Sequence, residues 1–239
     1  MAVPPVPATP PALQIFERAQ NAWETRRLPP FVEFDVQIQH RDVNGKLVTG
    51  HEHVVLRTFD HWCATRELDS DSPLPKTSTG TPCVGPANSP IGFNISAQYP
   101  NSKQIDPFQG TLPVIASVRA LHYDVTLAGE DVLNGRRAYH LQLRPIDNPN
   151  FYPLRAVWVD EASNDVLKLT YDELYRGWNV SIDYAFRAFT AGATWWVSEI
   201  DARWAPPPKN APEPGFQSTL LLTNVTFPPF VPDSALQHP

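Results

Sequence analysis

Apolar residues near the start of the chain recur every three or four positions, with charged and amide side chains between them. The recurring residues are Ala12, Phe16, Ala19 and Trp23. This spacing predicts an amphipathic helix whose apolar stripe rests on something buried. We expect Thr9 to cap the helix, Pro10 to take its first position and Pro29-Pro30 to end it.

From Phe31 the period of the apolar pattern changes to two. Strict alternation over 31–39 predicts a strand with one buried face, and Asn44-Gly45 is the preferred two-residue hairpin turn. Eight more strands are predicted at 46–59, 118–127, 136–143, 154–159, 165–171, 178–189, 194–204 and 218–227. Strands in hairpin order form a meandering antiparallel sheet, and so many strands cannot lie flat against one helix.

The predicted fold class is therefore α+β: a strongly curved antiparallel sheet of about nine to eleven strands, a half-open barrel that encloses the N-terminal helix. Curvature leaves two possibilities for the concave side. Either side chains fill it, or it holds a cavity for a ligand.

The distribution of proline along the chain supports these element boundaries. The chain of 239 residues has 27 prolines and only 11 glycines, and the prolines cluster at the predicted boundaries. The clusters predict a flexible tract at 1–11, a single domain over 12–232 with a Pro/Ser/Thr-rich excursion at about 63–113, and a tail at 233–239. A long helical bundle is disfavoured.

Charge and hydropathy argue against a nucleic acid partner and against a membrane-spanning segment. With 19 basic and 25 acidic residues the net charge is −6, and no basic run offers a nucleic acid surface. No apolar run approaches the ~18 residues of a membrane span. Hydrophobic residues make up 42% of the chain, so its body is expected to fold, as a monomer.

Cys63 and Cys83 are the two cysteines of the chain. In an exported protein they are expected to form a disulfide across the excursion, worth ~3 kcal/mol in the chain-entropy model. Two unrelated thiols or a metal pair are the alternatives. The Ala/Pro tract that follows Met1 is typical of a mature exported chain, periplasmic or extracellular, after removal of a signal peptide.

Three segments of the second half carry a family resemblance. They read LAGEDVLNGRRAYHLQLRP over 127–145, LRAVWVD over 154–160 and DVLKLT over 165–170. This succession resembles the LolA/LolB-like superfamily of periplasmic lipoprotein carriers and lipoprotein-sorting proteins. The resemblance implies the half-barrel fold, and as ligand a lipid or the acyl chains of a lipoprotein. It offers no match for the excursion at 63–113.

The candidate site residues are aromatic and aliphatic side chains expected on the concave side. They are Phe16, Trp23, Phe34, Val36, Ile38, Trp158, Trp178 and Trp196. Each of these side chains either packs in the core or lines an apolar pocket, and the sequence leaves both roles open. No catalytic residue and no cofactor is predicted, because no nucleophile, phosphate-binding or zinc motif occurs.

The weak metal candidate is His51-Glu52-His53, in which both histidines point to one face of a strand. The leading hypothesis for function is a non-enzymatic exported protein that binds a hydrophobic ligand, with the excursion at 63–113 as a lid. The alternatives are a module with a filled interior that binds an envelope protein or senses a signal, and a secreted enzyme with a histidine-bound metal.

Overall fold

A computed structural model describes residues 10–24, 29–41, 44–57, 62–67, 122–146, 149, 152, 154–175, 178–189, 195–206 and 215–232. These residues contain one helix and ten strands. The elements are α1 (Ala12–Glu24), β1 (Phe31–Arg41), β2 (Leu47–Arg57), β3 (Trp62–Glu67), β4 (Tyr123–Leu133), β5 (Arg136–Pro145), β6 (Leu154–Asp160), β7 (Val166–Tyr175), β8 (Trp178–Ala188), β9 (Trp195–Ala205) and β10 (Phe216–Thr226).

The helix begins two residues after the predicted position. Pro10 and Pro11 precede it, and the N–H of Ile15 donates to the carbonyl of Pro11 at 3.1 Å. Pro11 therefore accepts the first helical hydrogen bond, which requires no N–H from proline itself. The predicted cap, Thr9, lies outside the described residues.

All ten strands form one antiparallel sheet in the order β3-β2-β1-β10-β9-β8-β7-β6-β5-β4. Every pairing among these strands joins two that are consecutive in the chain, except that of β1 with β10. Among the strands that the structure describes, β3 and β4 are the edges, and these two do not pair with each other. The prediction of an antiparallel meander is confirmed, although β3 was not among the predicted strands.

The sheet is strongly curved. Arg136 on β5 and Trp195 on β9 lie four strand positions apart, which in a flat sheet would separate them by about 19 Å. The guanidinium carbon of Arg136 nevertheless lies 5.0 Å from the ring centroid of Trp195. The two strands curl towards each other around the interior, as a half-barrel requires.

Turn chemistry explains one of the tightest hairpins. Between β4 and β5, Asn134 and Gly135 both have positive φ, 52° and 77°. This backbone matches the twist of the flanking strands, and Asn-Gly adopts it most readily. The dipeptide therefore fixes the register in which β4 returns as β5.

One hydrophobic core lies between the helix and the concave side of the sheet. The apolar stripe of α1, with Ile15, Phe16, Ala19 and Trp23, belongs to the same buried cluster as alternate residues of the strands. The helix packs mainly against β4, β5 and β6. We call the sheet face that shares this cluster the inner face and the opposite one the outer face.

Several predictions fall on residues that the structure does not describe. Cys83 and most of the excursion at 63–113 lie outside the described residues, as does the side chain of Cys63, so the disulfide and the lid stay predictions. The predicted start of a strand at Val118 and residues 1–9 of the N-terminal tract also lie outside the described residues. No helix among the residues described is both long and apolar enough to cross a membrane.

Candidate ligand-binding site

The helix supplies two of the candidate residues. Phe16 is 1% exposed and Trp23 is 8% exposed, and both lie in the core cluster. Trp23 meets Phe186 of β8 edge-to-face, with ring centroids 5.3 Å apart and an angle of 76° between the planes. The end of α1 is thereby fixed to the inner face by an aromatic pair.

Strand β1 supplies three more, at alternate positions of its inner face. Phe34, Val36 and Ile38 are all buried in the cluster that contains the helix. Their alternation with Asp35 and Gln37, which stay partly or fully exposed, confirms the predicted period of two. Side chains of the protein cover these residues, so the concave side is packed around α1.

The three candidate tryptophans have different surroundings. Trp196 is buried in the core cluster, where its ring lies 6.4 Å from that of Phe227 at 73°. Trp178 begins β8, but its side chain is outside the described residues. Trp158 lies on the outer face, because it pairs with His140 and Lys168 while its neighbours Val157 and Val159 are fully buried.

The structure therefore does not bring Trp158 to the helix side. Its indole stacks on His140 at 4.2 Å, and the Nζ of Lys168 lies 4.8 Å from the ring centroid. The indole N–H donates to a carboxylate oxygen of Asp131 at 2.7 Å. The sequence offers little guidance here, since the strand is apolar at Val157, Trp158 and Val159 alike.

Three tyrosines on the inner face were not among the candidates. Tyr171 of β7 is 4% exposed, and its ring packs edge-on against Tyr184 of β8, with centroids 5.8 Å apart. Tyr123 of β4 is also buried, and its hydroxyl accepts a hydrogen bond from the N–H of Leu154 at 3.2 Å. The signal available from sequence was the alternation of Leu169 and Tyr171 with polar residues along β7.

The hydroxyl of Tyr171 is buried and, among the residues described, has no hydrogen-bond partner. Burial raises its pKa well above the ordinary value, and the neighbouring Tyr184 and Tyr123 raise it further. Burial likewise raises the pKa of Tyr123. Both phenols therefore stay protonated, and Tyr171 presents an O–H donor to the apolar interior.

The two histidines of the fragment, His51 and His53, lie on the outer face of β2, whereas Glu52 pairs with Val36 and is buried. The Nδ1 of His53 and the Oδ1 of Asp35 are 2.8 Å apart, and Asn224 donates to Oδ2 of Asp35 at 2.7 Å. Burial raises the pKa of Asp35, but these hydrogen bonds and the charges of His53 and His51 lower it more, so the net shift is downward. In the described part of the chain, no group of three His, Cys, Asp or Glu side chains could hold a metal ion.

The outer face also carries a charged network that crosses four strands. Lys168 contacts Asp183 at 3.2 Å, Asp183 contacts Arg203 at 2.7 Å, and Arg203 contacts Asp201 at 3.2 Å. Gln217 then donates to Asp201 at 2.7 Å. These contacts tie β7, β8, β9 and β10 together on the side away from the helix.

The fold is similar to those of several solved structures. A domain described as an outer membrane lipoprotein-sorting protein, from Vibrio parahaemolyticus, matches 94% of this chain and 97% of its own, with 13% identity and a TM-score of 0.52. A DUF1329 family protein from Desulfovibrio piger matches 96% of this chain and 98% of its own, with 14% identity and a TM-score of 0.49. A LolA superfamily protein from Nitrosomonas europaea matches 96% of this chain and 99% of its own, with 14% identity and a TM-score of 0.44.

No protein-family model matches the sequence, and no curated protein sequence matches it. The predicted resemblance to the LolA/LolB-like superfamily is confirmed at the level of the fold by the lipoprotein-sorting domain, over nearly the full length of both chains.

Proposed function

We propose that this protein is an exported, non-enzymatic monomer that binds the acyl chains of a lipid or lipoprotein between α1 and the inner face of the sheet. The observation that carries the proposal is the apolar contact between an amphipathic helix and the concave side of an open sheet. The shared fold of a lipoprotein-sorting domain supports it.

The helix is the element that must move for a ligand to enter. Phe16, Phe34, Val36 and Ile38 are covered by protein atoms, so an acyl chain reaches them only when α1 shifts. Apolar contacts have no directional requirement, and the acyl chain replaces side chains with methylene groups of similar polarity. Burial of each CH₂ contributes about 0.8 kcal/mol, which offsets the contacts that the helix gives up.

The first test is native mass spectrometry of protein purified from cells, together with uptake of the fluorescent fatty acid cis-parinaric acid. We expect a co-purifying lipid and saturable uptake. The proposal is contradicted if no lipid co-purifies and the fluorescent acid does not bind.

A pair of helix variants then locates the site. Phe16→Ala removes a buried ring at the boundary of helix and sheet, and an apolar cavity of this kind binds small apolar molecules. We expect it to bind cis-parinaric acid several-fold more tightly than the wild type. Leu13→Ala truncates a side chain of α1 that is 45% exposed, and it should leave the affinity unchanged. Equal affinities for all three proteins would place the ligand elsewhere.

A second candidate function is an interaction or sensor module with a filled interior. The burial of the candidate residues on α1 and β1 favours it, because side chains of the protein already fill the concave side. The same mass spectrometry separates the two candidates, since a module of this kind carries no lipid.

A further inference from the structure

The hydroxyl of Tyr171 stands out among the polar atoms of the interior. It projects from the inner face of β7, where Tyr171 pairs with Ile182 on one side and Leu154 on the other. Its ring is 4% exposed, and no partner for the hydroxyl occurs among the described residues. Leaving such a donor unpaired in an apolar interior destabilises the fold, and replacement by Phe would remove that cost.

The surroundings of this hydroxyl limit what could accept its hydrogen bond. Tyr184 packs against the Tyr171 ring edge-on, and the Tyr123 hydroxyl already accepts the N–H of Leu154. The rest of the inner face nearby is aliphatic, with Leu154 and Leu169 both fully buried. An acceptor brought in by an apolar molecule suits this position, and water would need further polar partners.

Tyr171 also lies at a useful place along the interior. Ile182, its partner on β8, is four residues from Phe186, which contacts Trp23 at the end of α1. Four residues of a strand span about 13 Å. A polar group at Tyr171 would therefore leave an apolar path towards Trp23 for an attached chain.

We propose that the Tyr171 hydroxyl donates a hydrogen bond to the carbonyl oxygen of the bound acyl group. This inference rests on the proposed function, and it makes the ligand a fatty acid or a fatty acyl ester. The tyrosine thereby sets the position of the polar end, while the chain lies along the inner face. A hydrocarbon of the same size lacks the acceptor and is bound less tightly.

The test compares three fluorescent probes on Tyr171→Phe: cis-parinaric acid, its methyl ester and the hydrocarbon diphenylhexatriene. We expect the variant to bind the acid and the ester about fivefold to tenfold more weakly, the effect of one hydrogen bond, and the hydrocarbon as the wild type does. A loss confined to the acid identifies a free carboxyl as the acceptor, and an equal loss for both identifies any acyl carbonyl.

Tyr123→Phe is the matched control, because it also removes a buried phenol hydroxyl, but one with a partner. It should lower the midpoint of urea unfolding and leave the ratio of ester to hydrocarbon affinity unchanged. Tyr171→Phe should leave the midpoint of the unliganded protein unchanged or raise it, since its hydroxyl has no partner to lose among the residues that the structure describes.

The two proposals fail in different ways. If the wild type binds no probe, hydrocarbon included, the proposed function is overturned and this inference with it. If the wild type binds all three but Tyr171→Phe keeps the same affinity ratio, the inference alone is overturned, and a lowered unfolding midpoint in that variant would assign the hydroxyl to the fold.

Discussion

Neighbouring residues of β1 belong to two different kinds of surface. Phe34 and Val36 are buried in the apolar cluster that also contains the stripe of α1. Asp35, between them, bonds His53 at 2.8 Å and Asn224 at 2.7 Å on the outer face. The inner face of β1 is therefore stabilised by apolar packing, and its outer face by directional hydrogen bonds.

The difference teaches how a curved sheet can combine stiffness with adaptability. Hydrogen bonds and ion pairs weaken steeply when their geometry changes, so the outer face resists changes of register between strands. Dispersion contacts are individually weak and have no preferred angle, so the inner face can exchange one apolar neighbour for another. A ligand that displaces α1 would alter the inner contacts and leave the outer ones in place.

The largest expected effect is on the inner face. Phe34→Ala should lower the free energy of unfolding by about 3–5 kcal/mol, because it leaves a cavity in the hydrophobic core. Urea denaturation measures the change. Leu221→Ala on β10, where the side chain is 41% exposed, is the control and should cost well under half as much. Similar costs for the two variants would contradict the division into faces.

An intermediate effect is expected at Asp160, on the β6–β7 turn. Its Oδ2 accepts the Nε–H of Arg136 at 2.7 Å, and its Oδ1 accepts the backbone N–H groups of Ala162 at 3.0 Å and Ser163 at 2.8 Å. Burial raises the pKa of Asp160, but the hydrogen bonds from Arg136 and Ser163 lower it more, so it lies below the ordinary 3.8. The charged form is therefore the one that stabilises the fold.

Asp160→Asn should lower the free energy of unfolding at pH 7 by about 1–3 kcal/mol, because Arg136 loses its charged partner. A lowered pKa contributes stability that is present above 3.8 and is lost as the pH falls through the folded value. The difference between wild type and variant should thus shrink below pH 4, as measured by urea denaturation from pH 7 to pH 2. A difference that stays constant over this range would mean that the charge of Asp160 has no part in it.

The smallest effect is expected in the exposed network of the outer face. Arg203 is 53% exposed and contacts Asp183 and Asp201, so Arg203→Ala should cost less than about 1 kcal/mol. Measuring the cost again in 1 M salt sharpens the comparison, since screening should reduce it while the cost of Phe34→Ala stays the same. A salt-independent loss would show that Arg203 acts through packing of its stem.

Most of the fold could be predicted from local sequence patterns. The helix of α1 and the alternation along β1 both depend on residues close together in the chain, and the structure agrees with both. The strand β3 was missed because it is short and borders the Pro/Ser/Thr-rich excursion, whose composition indicates irregular structure. Its alternation is too brief to outweigh that signal.

The candidate site depended on information that is not local. Trp158 has apolar neighbours on both sides, so nothing in its own strand tells which face it occupies, and pairing with His140 and Lys168 decides it. Tyr171 is of functional interest because of its neighbours Tyr184 and Tyr123, and only the register between strands brings these two residues near it. A shift of one residue in either strand would have placed these side chains on opposite faces.

The place of β1 in the sheet has a consequence for folding. Within the described strands, every pairing joins strands consecutive in the chain except that of β1 with β10, where Arg41 pairs with Gln217. Short-range hairpins form quickly, whereas a pairing between distant segments must first overcome the entropy of closing the chain between them. The β1–β2–β3 and β4–β10 meanders can each assemble from neighbours, so we expect the seam between β1 and β10 to close last and to set the folding rate of the whole sheet.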